Sequence, residues 1–247
     1  MRTLGLIGKN ISYSFSRNYF KEKFVTENLP EIEYINFDVQ NLDDIKEILN
    51  HPSNIGFNVT IPYKEEIIPY LNELDIHAKE IGAVNTIKKS NGKLIGYNTD
   101  WLGFKLALEN LNTSLPEKAL ILGTGGAAKA IIYALKQLNI KYLQVSRKPE
   151  NNQISYEEIT KEILIDYPLI INCTPIGTFP DVSKSPKIPY ELLTDGHILY
   201  DLIYNPEETQ FLKNGKDKKS TISNGFQMLV NQANLAWNIW MDINEKI

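Results

Sequence analysis

A lysine and two other polar side chains stand together at the end of an otherwise apolar run. The run reads GFNVTIPYK over residues 56–64, with Asn58 and Thr60 ahead of Lys64. Its first four residues predict the end of a buried strand, and Pro62 stops that strand because proline lacks the N–H that a sheet needs. An amide, a hydroxyl and an ammonium can bind polar ligands, and the ammonium can also move a proton. Their grouping favours a ligand site over a poorly formed strand.

Other polar residues follow predicted strands in the same half of the chain. Serines stand in ISYSFSR, an asparagine in GAVNT and an aspartate in GYNTDWLGF. Ligands of open α/β sheets bind outside the carboxyl ends of the strands, so we expect these side chains to converge on one cleft facing a second domain. The full set is Ser14, Ser16, Asn58, Thr60, Lys64, Asn85 and Asp100.

Each of these residues also has a purely structural interpretation. Ser16 could be the N-cap of the helix after it, and Asp100 the N-cap of the helix that starts at the next residue. Asn58 and Asn85 could be turn residues that hydrogen-bond the backbone. Lys64 could lie on a helix surface. Taken one at a time, the residues leave these interpretations open.

A glycine-rich turn lies in the second half of the chain, in KALILGTGGAAKA over residues 118–130. Gly123, Gly125 and Ala128 match the pattern G-x-G-x-x-G/A between a predicted strand and a predicted helix, the context that a dinucleotide-binding turn requires. Gly123 permits the tight turn, Gly125 lets a pyrophosphate approach the backbone, and the helix N-terminus offers free N–H groups to phosphates. The alternative is a glycine-rich turn in another α/β fold.

The residues after the next strand bear on the choice of dinucleotide. An NAD site places an acidic residue about 20 residues past the glycines, where it holds the ribose hydroxyls. Here Ser146, Arg147 and Lys148 occupy that region. A hydroxyl and two cations suit a 2′-phosphate, and the planar guanidinium matches phosphate oxygens best. This predicts NADP(H) as the cofactor, with solvated loop charges as the alternative.

The elements that must position these residues alternate between strands and helices. Apolar runs predict strands over Leu4–Ile7, Tyr34–Phe37, Ile55–Val59, Ala119–Leu122, Tyr142–Val145, Leu169–Asn172 and Ile198–Asp201. Helical patterns cover Arg17–Glu27, Leu42–Leu49, Trp101–Leu111, Ala127–Leu138 and Glu207–Lys213. Such alternation predicts βαβ units and mainly parallel sheets, an α/β protein. Asn91-Gly92 predicts a hairpin turn, and Asp75 and Gly82 predict the two ends of a short helix.

The chain is expected to form two domains. The first comprises residues 1–100 with 226–247 and carries the polar set, and the second, Rossmann-like domain comprises residues 101–225. A last helix begins near Gly225, and its apolar positions, which include Ala233, Trp237 and Trp240, form one face. We expect that face to pack back on the first domain.

Composition narrows the class of protein. The 247 residues carry a net charge of −4, which gives no sign of a nucleic-acid partner. A single cysteine, Cys173, allows no internal disulfide, and the three histidines form no metal-ligand cluster. No apolar stretch is as long as the about 20 residues that a membrane-spanning helix needs. These features predict a reduced, cytoplasmic, globular protein without a metal.

Together, these motifs resemble those of the shikimate dehydrogenase family along nearly the whole length of the chain. SYSFS is similar to the family's HSxS loop, GFNVTIPYK matches G-x-N-V-T-x-P-x-K, and GAVNT and NTD match two further motifs. The resemblance implies that Ser14 and Ser16 bind the substrate carboxylate. It makes Lys64 the catalytic lysine and Asp100 its partner. Further substrate ligands would be Asn58, Thr60, Asn85, Tyr204 in DLIYNPEETQFL and Gln232 in NGFQMLVNQA.

The cofactor motifs resemble the same family. GTGGAAKA is similar to its phosphate loop, SRK to its NADP-selecting loop, and NCTPIG over residues 172–177 to its nicotinamide loop. The cofactor-binding residues that the resemblance implies are Gly123, Thr124, Gly125, Gly126, Ala127, Ser146, Arg147, Lys148, Thr174, Gly225 and Met228. The implied reaction is 3-dehydroshikimate + NADPH + H⁺ to shikimate + NADP⁺, in a monomer or homodimer.

Some positions depart from the family pattern. Tyr13 replaces the usual histidine, Arg17 a proline, Tyr97 an acid and Thr178 a methionine. The segment 147–169 is also short, so one crossover of the second domain is expected to be reduced or to lack its strand. Three alternatives stay open: a relative acting on quinate, a folate-linked dehydrogenase of similar plan, and a cofactor sensor without turnover. The paired serines with Gln232 disfavour the second, and retention of Lys64 with Asp100 disfavours the third.

Overall fold

The structure is a computed structural model that describes residues 1–12 and 14–243. The departure at Tyr13 and the end of the predicted first domain, 244–247, therefore lie outside the described residues. The chain forms two compact units, one made of Met1–Thr99 with the chain from Ala233 onward, the other of Asp100–Gln232. No helix in the described part is long and apolar enough to cross a membrane.

The first unit is built on a six-stranded sheet of order β2-β1-β3-β5-β6-β4. Its strands are β1 (Arg2–Gly8), β2 (Ile32–Asp38), β3 (Asn54–Val59), β4 (Glu73–Leu74), β5 (Thr86–Ser90) and β6 (Lys93–Tyr97). β1 pairs in parallel with β2 and β3, whereas β5 runs antiparallel to β3 and β6. The antiparallel pair follows from the hairpin at Asn91-Gly92, where φ is 50° and 76°, as a type I′ turn requires.

Helices cover both faces of this sheet. The helices of this unit are α1 (Phe15–Thr26), α2 (Ile45–Asn50) and α3 (Ile76–Ile81), together with the end of a later helix. Successive residues of β1 point to opposite faces, so Leu4 and Leu6 join one apolar cluster and Ile7 joins the other. The predicted ends of α3 are confirmed, because Asp75 accepts hydrogen bonds from two backbone N–H groups and Gly82 has φ 70°.

The second unit has a six-stranded, fully parallel sheet of order β12-β11-β10-β7-β8-β9. The strands are β7 (Lys118–Leu122), β8 (Lys141–Val145), β9 (Gln153–Ile154), β10 (Leu169–Asn172), β11 (Ile198–Asp201) and β12 (Thr221–Ser223). Numbered from β7, the order reads 6-5-4-1-2-3, the strand order of a Rossmann dinucleotide-binding fold. Its helices are α4 (Asp100–Glu109), α5 (Gly126–Gln137), α6 (Lys161–Asp166) and α7 (Gln210–Asp217).

The crossover after β8 is reduced, as expected. Residues 146–152 reach β9 without a helix, and β9 has only two residues. Its strand is nevertheless present and pairs in parallel with β8. The sheet therefore keeps all six positions although the segment is short.

The last helix, α8 (Phe226–Met241), belongs to both units, since the division falls after Gln232. Its second half carries Ala233, Ala236, Trp237 and Trp240 into the apolar cluster of α1 and β1. Trp240 also donates from Nε1 to the carbonyl oxygen of Ile87, 3.0 Å away. The predicted packing of this helix on the first unit is confirmed.

Candidate active site

Lys64 lies in the turns that follow β3, half-buried. The turn is held at several points, because Thr60 N–H donates to the Ile7 carbonyl at 2.9 Å and Val84 N–H donates to the Lys64 carbonyl at 2.7 Å. The Tyr63 hydroxyl adds a bond to the Val39 carbonyl at 2.8 Å. The interpretation of Lys64 as a helix-surface residue is therefore wrong. Thr60 is also half-buried, four residues before it.

The two serines occupy the start of α1. Ser14 is the N-cap residue, but its hydroxyl makes no capping hydrogen bond. Ser16 is buried and lies inside the first turn of the helix, so the interpretation of Ser16 as an N-cap is wrong. A helix N-terminus with a hydroxyl beside it suits an anion such as a carboxylate.

Asn58 and Asn85 are buried in a polar network beneath these loops. Asn58 lies within β3 rather than in a turn, and its Oδ1 accepts from the Tyr34 hydroxyl at 2.8 Å. Asn85 precedes β5, and its Oδ1 accepts from the backbone N–H of Thr99 at 2.7 Å. Asn58 is thus not a turn residue, although its Nδ2 donates to the Asn85 backbone carbonyl. Asn85 lies in the segment before β5 and accepts from backbone.

Asp100 is the first residue of α4 and is 6% exposed. A carboxylate at a helix N-terminus is stabilised by the helix dipole. The residue before it, Thr99, is fixed by side-chain and backbone bonds to Asn85. The backbone that leads into Asp100 is therefore anchored to the first unit.

The glycine turn between β7 and α5 has the shape that a dinucleotide needs. Gly123 has φ 109°, a conformation that favours glycine, and its N–H bonds the Val145 carbonyl at 3.0 Å. A Cβ placed on Gly125, the N-cap of α5, would meet no atom within 4 Å. Open space at an exposed helix N-terminus leaves room for a pyrophosphate. Ala128 is fully buried against the sheet, as the motif requires.

The remaining residues of the turn and the SRK segment lie close by in the fold. Thr124 is exposed, and Gly126 and Ala127 form the half-buried first turn of α5. After β8, the buried Ser146 donates to the Lys148 carbonyl and accepts from the Lys148 N–H. Arg147 and Lys148 are exposed. The guanidinium is therefore available at the end of the strand that neighbours the glycine turn.

A buried carboxylate, Asp201, joins two loops at the carboxyl ends of β10 and β11. Its Oδ1 accepts from Asn172 Nδ2 and from the Ile203 N–H, both at 3.0 Å, and its Oδ2 accepts from the Thr209 hydroxyl at 2.6 Å. Asn172 in turn accepts from the hydroxyl of Thr174 at 2.7 Å. Burial raises the pKa of Asp201 from 3.8 to about 6, although these three hydrogen bonds oppose the rise.

The other predicted ligands of this unit lie between the end of β11 and the middle of α8. Tyr204 is half-buried just past β11, and the Gly225 N–H donates to the Ile203 carbonyl at 3.1 Å. Met228 is buried in the core of the second unit, and Gln232 is buried with Nε2 donating to the Leu229 carbonyl. Hydrogen bonds thus link Thr174 to Asp201 through Asn172, and Gly225 to Asp201 through Ile203.

Sequence reasoning assigned no role to two residues that organise these sites. The sequence predicts Tyr34 only as a residue of a strand, and Asp201 only as part of the DLIYNPEETQFL motif. Cys173 lies next to the second site, and burial followed by the charge of Asp201 raises the pKa of its thiol, so it is held neutral. No three His, Cys, Asp or Glu side chains among residues 1–12 and 14–243 are placed to hold a metal ion.

The strand order, the open glycine turn and the helix N-terminus behind it define the second unit as a dinucleotide-binding Rossmann unit. The first unit collects hydroxyl, amide and ammonium groups at strand ends. Together these features define a dinucleotide-dependent enzyme of the α/β class.

Comparison with known proteins narrows this class to one family. The family model "Shikimate dehydrogenase substrate binding domain" matches residues 6–87. A shikimate dehydrogenase (NADP(+)) of Clostridium botulinum strain Hall is 42% identical, over 97% of this chain and 96% of its own length. One from Caldicellulosiruptor saccharolyticus is 38% identical, over 98% and 93%. The chain belongs to the shikimate dehydrogenase family, as its motifs predicted.

A solved structure agrees with this assignment. Shikimate 5-dehydrogenase of Thermus thermophilus, in complex with NADP(H) and shikimate, matches with a TM-score of 0.87 and 30% identity. The match covers 98% of this chain and 94% of that chain. The predicted α/β class with a Rossmann-like unit is confirmed.

Proposed function

We propose that this protein catalyses the reversible reduction of 3-dehydroshikimate to shikimate with NADPH. The first unit binds the substrate and the second binds the cofactor. The observation that carries the proposal is the half-buried Lys64 beside Thr60, on a turn anchored by backbone hydrogen bonds. The family model for the substrate-binding domain spans that turn, and the named relatives use NADP.

The residues of the second unit fit NADP(H). The open space at Gly125 and the N-terminus of α5 would hold the pyrophosphate, assisted by Thr124, Gly126 and Ala127. The exposed Arg147 and Lys148, with Ser146, would hold the 2′-phosphate. Thr174, Gly225 and Met228 would line the nicotinamide side. When bound, the cofactor supplies the hydride.

The proposed catalytic and substrate-binding residues manage the proton and hold the substrate. A carbonyl oxygen that gains a hydride becomes alkoxide-like, and the Lys64 ammonium stabilises that charge and donates a proton to the oxygen. Asp100 holds the lysine in position and relays protons. The ring hydroxyls and the carboxylate need hydrogen-bonding partners. Ser14, Ser16, Thr60, Asn85, Tyr204 and Gln232 supply them, and Asn58 is the remaining candidate.

Steady-state kinetics of Lys64→Ala tests this role. We expect kcat to fall by about 10²–10⁴-fold, the usual contribution of general acid–base catalysis, with a modest change in KM. Lys79→Ala, which removes an exposed lysine of α3, is the matched control and should retain wild-type rates. A large rise in KM at unchanged kcat would show that Lys64 only binds the substrate.

Alternative functions are separated by a panel of substrates and cofactors. Wild-type protein is assayed with shikimate and with quinate, each with NADP⁺ and with NAD⁺. Turnover of shikimate with NADP⁺ should exceed the other three combinations. NADPH binding without turnover of 3-dehydroshikimate would identify a sensor. We also propose a cytoplasmic monomer or homodimer, in keeping with a single, partly buried thiol. Light scattering and cell fractionation test this.

A further inference from the structure

Tyr34 places a hydroxyl among aromatic rings beneath the substrate side of the first unit. The residue is 6% exposed, and its ring stacks on Phe20 with centroids 4.7 Å apart. Trp240 lies 6.4 Å away on a centroid basis. A hydroxyl in such surroundings needs partners from the protein. The hydroxyl donates to Asn58 Oδ1, 2.8 Å away.

The hydrogen bond to Tyr34 and two others determine how the Asn58 side-chain amide is oriented. With Oδ1 turned to the Tyr34 hydroxyl at 2.8 Å, Nδ2 faces the Asn85 carbonyl at 3.3 Å and the Thr86 hydroxyl at 3.2 Å. An amide nitrogen has two hydrogens, and both are used inside the protein. Asn58 is also 4% exposed. It therefore has no donor left for a ligand, and its place is in the support of the site.

The network continues to the residue that precedes Asp100. The Thr86 hydroxyl donates to Asn85 Oδ1 at 3.1 Å, and Asn85 Nδ2 donates to the Thr99 hydroxyl at 2.9 Å. The same Oδ1 accepts from the Thr99 backbone N–H at 2.7 Å. Removing one member of a buried network leaves its partners unpaired and lets them reorient.

We propose that Tyr34 is a positioning residue for the substrate: it holds Asn58 directly and, through Asn58 and Thr86, the Asn85–Thr99 bonds. The proposal rests on the proposed function and reassigns Asn58 from ligand to support. The glycine turn and the SRK segment share none of these hydrogen bonds. Loss of the Tyr34 hydroxyl should therefore disturb the substrate but leave the cofactor unaffected, a split that general destabilisation would not produce.

Tyr34→Phe keeps the ring and removes only the hydroxyl. We expect kcat/KM for shikimate to fall about tenfold or more, equivalent to 1.4 kcal/mol or more. KM for NADP⁺ should stay within about twofold, the scatter typical of neutral changes far from a site. The matched control is Tyr200→Phe, another buried tyrosine, whose hydroxyl has no hydrogen-bond partner. It should leave both parameters within the same range.

A second variant approaches the network from its other side. Thr86→Val keeps the branched shape of a fully buried residue and removes the hydroxyl that joins Asn58 to Asn85. It should show the same selective loss for shikimate, and it decides the question if Tyr34→Phe does not fold. Two folded variants with wild-type kcat/KM for shikimate would overturn the proposal, as would equal losses for substrate and cofactor.

The wild-type assay keeps the two proposals apart. Turnover of shikimate by the wild type with unaltered variants rejects only the role of Tyr34. A wild type without turnover rejects the proposed function, and calorimetric titration with shikimate then replaces the rate measurement. Weaker binding by Tyr34→Phe than by the wild type would still support positioning. Equal binding, or none by either protein, would reject it.

Discussion

Replacing Asp201 by asparagine should change how the stability of the protein depends on pH. The carboxyl is fully buried, and its pKa lies at about 6 in the folded protein against 3.8 as the reference value. Burial penalises the charged form more than the three hydrogen bonds favour it. The folded protein therefore binds the proton of Asp201 more tightly than the unfolded chain does.

The sign and size follow from linkage. Because the folded pKa is raised, the protonated carboxyl contributes full stability below about pH 3.8, and this stability is lost as the pH rises through about 6. A difference of about 2 pKa units corresponds to about 3 kcal/mol. Asparagine does not titrate, can accept from Asn172 and Ile203, and can donate to the Thr209 hydroxyl. Between about pH 4 and pH 7, the unfolding free energy of the Asp201→Asn variant should therefore rise by about 3 kcal/mol relative to that of the wild type.

Urea unfolding at several pH values in this window measures the difference. Asp195→Asn, which removes an exposed carboxylate in a turn, controls for the change in net charge. A stability difference between Asp201→Asn and the wild type that does not vary with pH would refute the reasoning. An opposite slope would show that the hydrogen bonds outweigh the cost of burial.

Three further variants test residues assigned to the cofactor. Arg147→Ala should raise KM for NADPH by more than about tenfold and KM for NADH far less, because a charge-assisted bond to phosphate is worth about 1.5–3 kcal/mol. The control is Lys141→Ala, at the other end of β8. Equal effects on both cofactors would reject the 2′-phosphate role of Arg147. Gly125→Ala should raise KM for NADPH by at least about tenfold at an unchanged melting temperature, since its Cβ enters open space where the pyrophosphate would lie. Gly225→Ala should instead destabilise the fold by about 1–3 kcal/mol, because its Cβ would overlap the Leu202 carbonyl. Similar melting temperatures for Gly125→Ala and Gly225→Ala would contradict the predicted difference in stability.

The longer strands and the hairpin could be predicted because their signals are local. Apolar runs of four or more residues marked β1, β3, β7 and β10, and Asn91-Gly92 marked the turn. The strands β4, β9 and β12 have two or three residues, too few to show a period. Their pairing comes from neighbouring strands, so the full six-strand order of either sheet was beyond prediction.

The candidate site divides in the same way. The glycine turn, the serines of α1 and the lysine after β3 are each short motifs, and their residue types and spacing suffice to identify them. Asn58 differs, because the sequence offers it as a ligand while the fold turns its Oδ1 toward the Tyr34 hydroxyl. The direction of a side chain depends on strand register and on helix packing, which single motifs do not carry.

The sequence by itself determined the family, the α/β class and the motifs that carry a dinucleotide and a proton donor, because each is encoded within about a dozen neighbouring residues. Tertiary structure alone decided which polar groups support the site. Tyr34 and Asn58 are 24 residues apart in the chain, yet β1 lies between their strands and brings them within 2.8 Å. Asp201 likewise becomes a junction because parallel β10 and β11 place it opposite Asn172. A buried hydrogen bond forms where strands pair, and pairing joins residues that sequence separates.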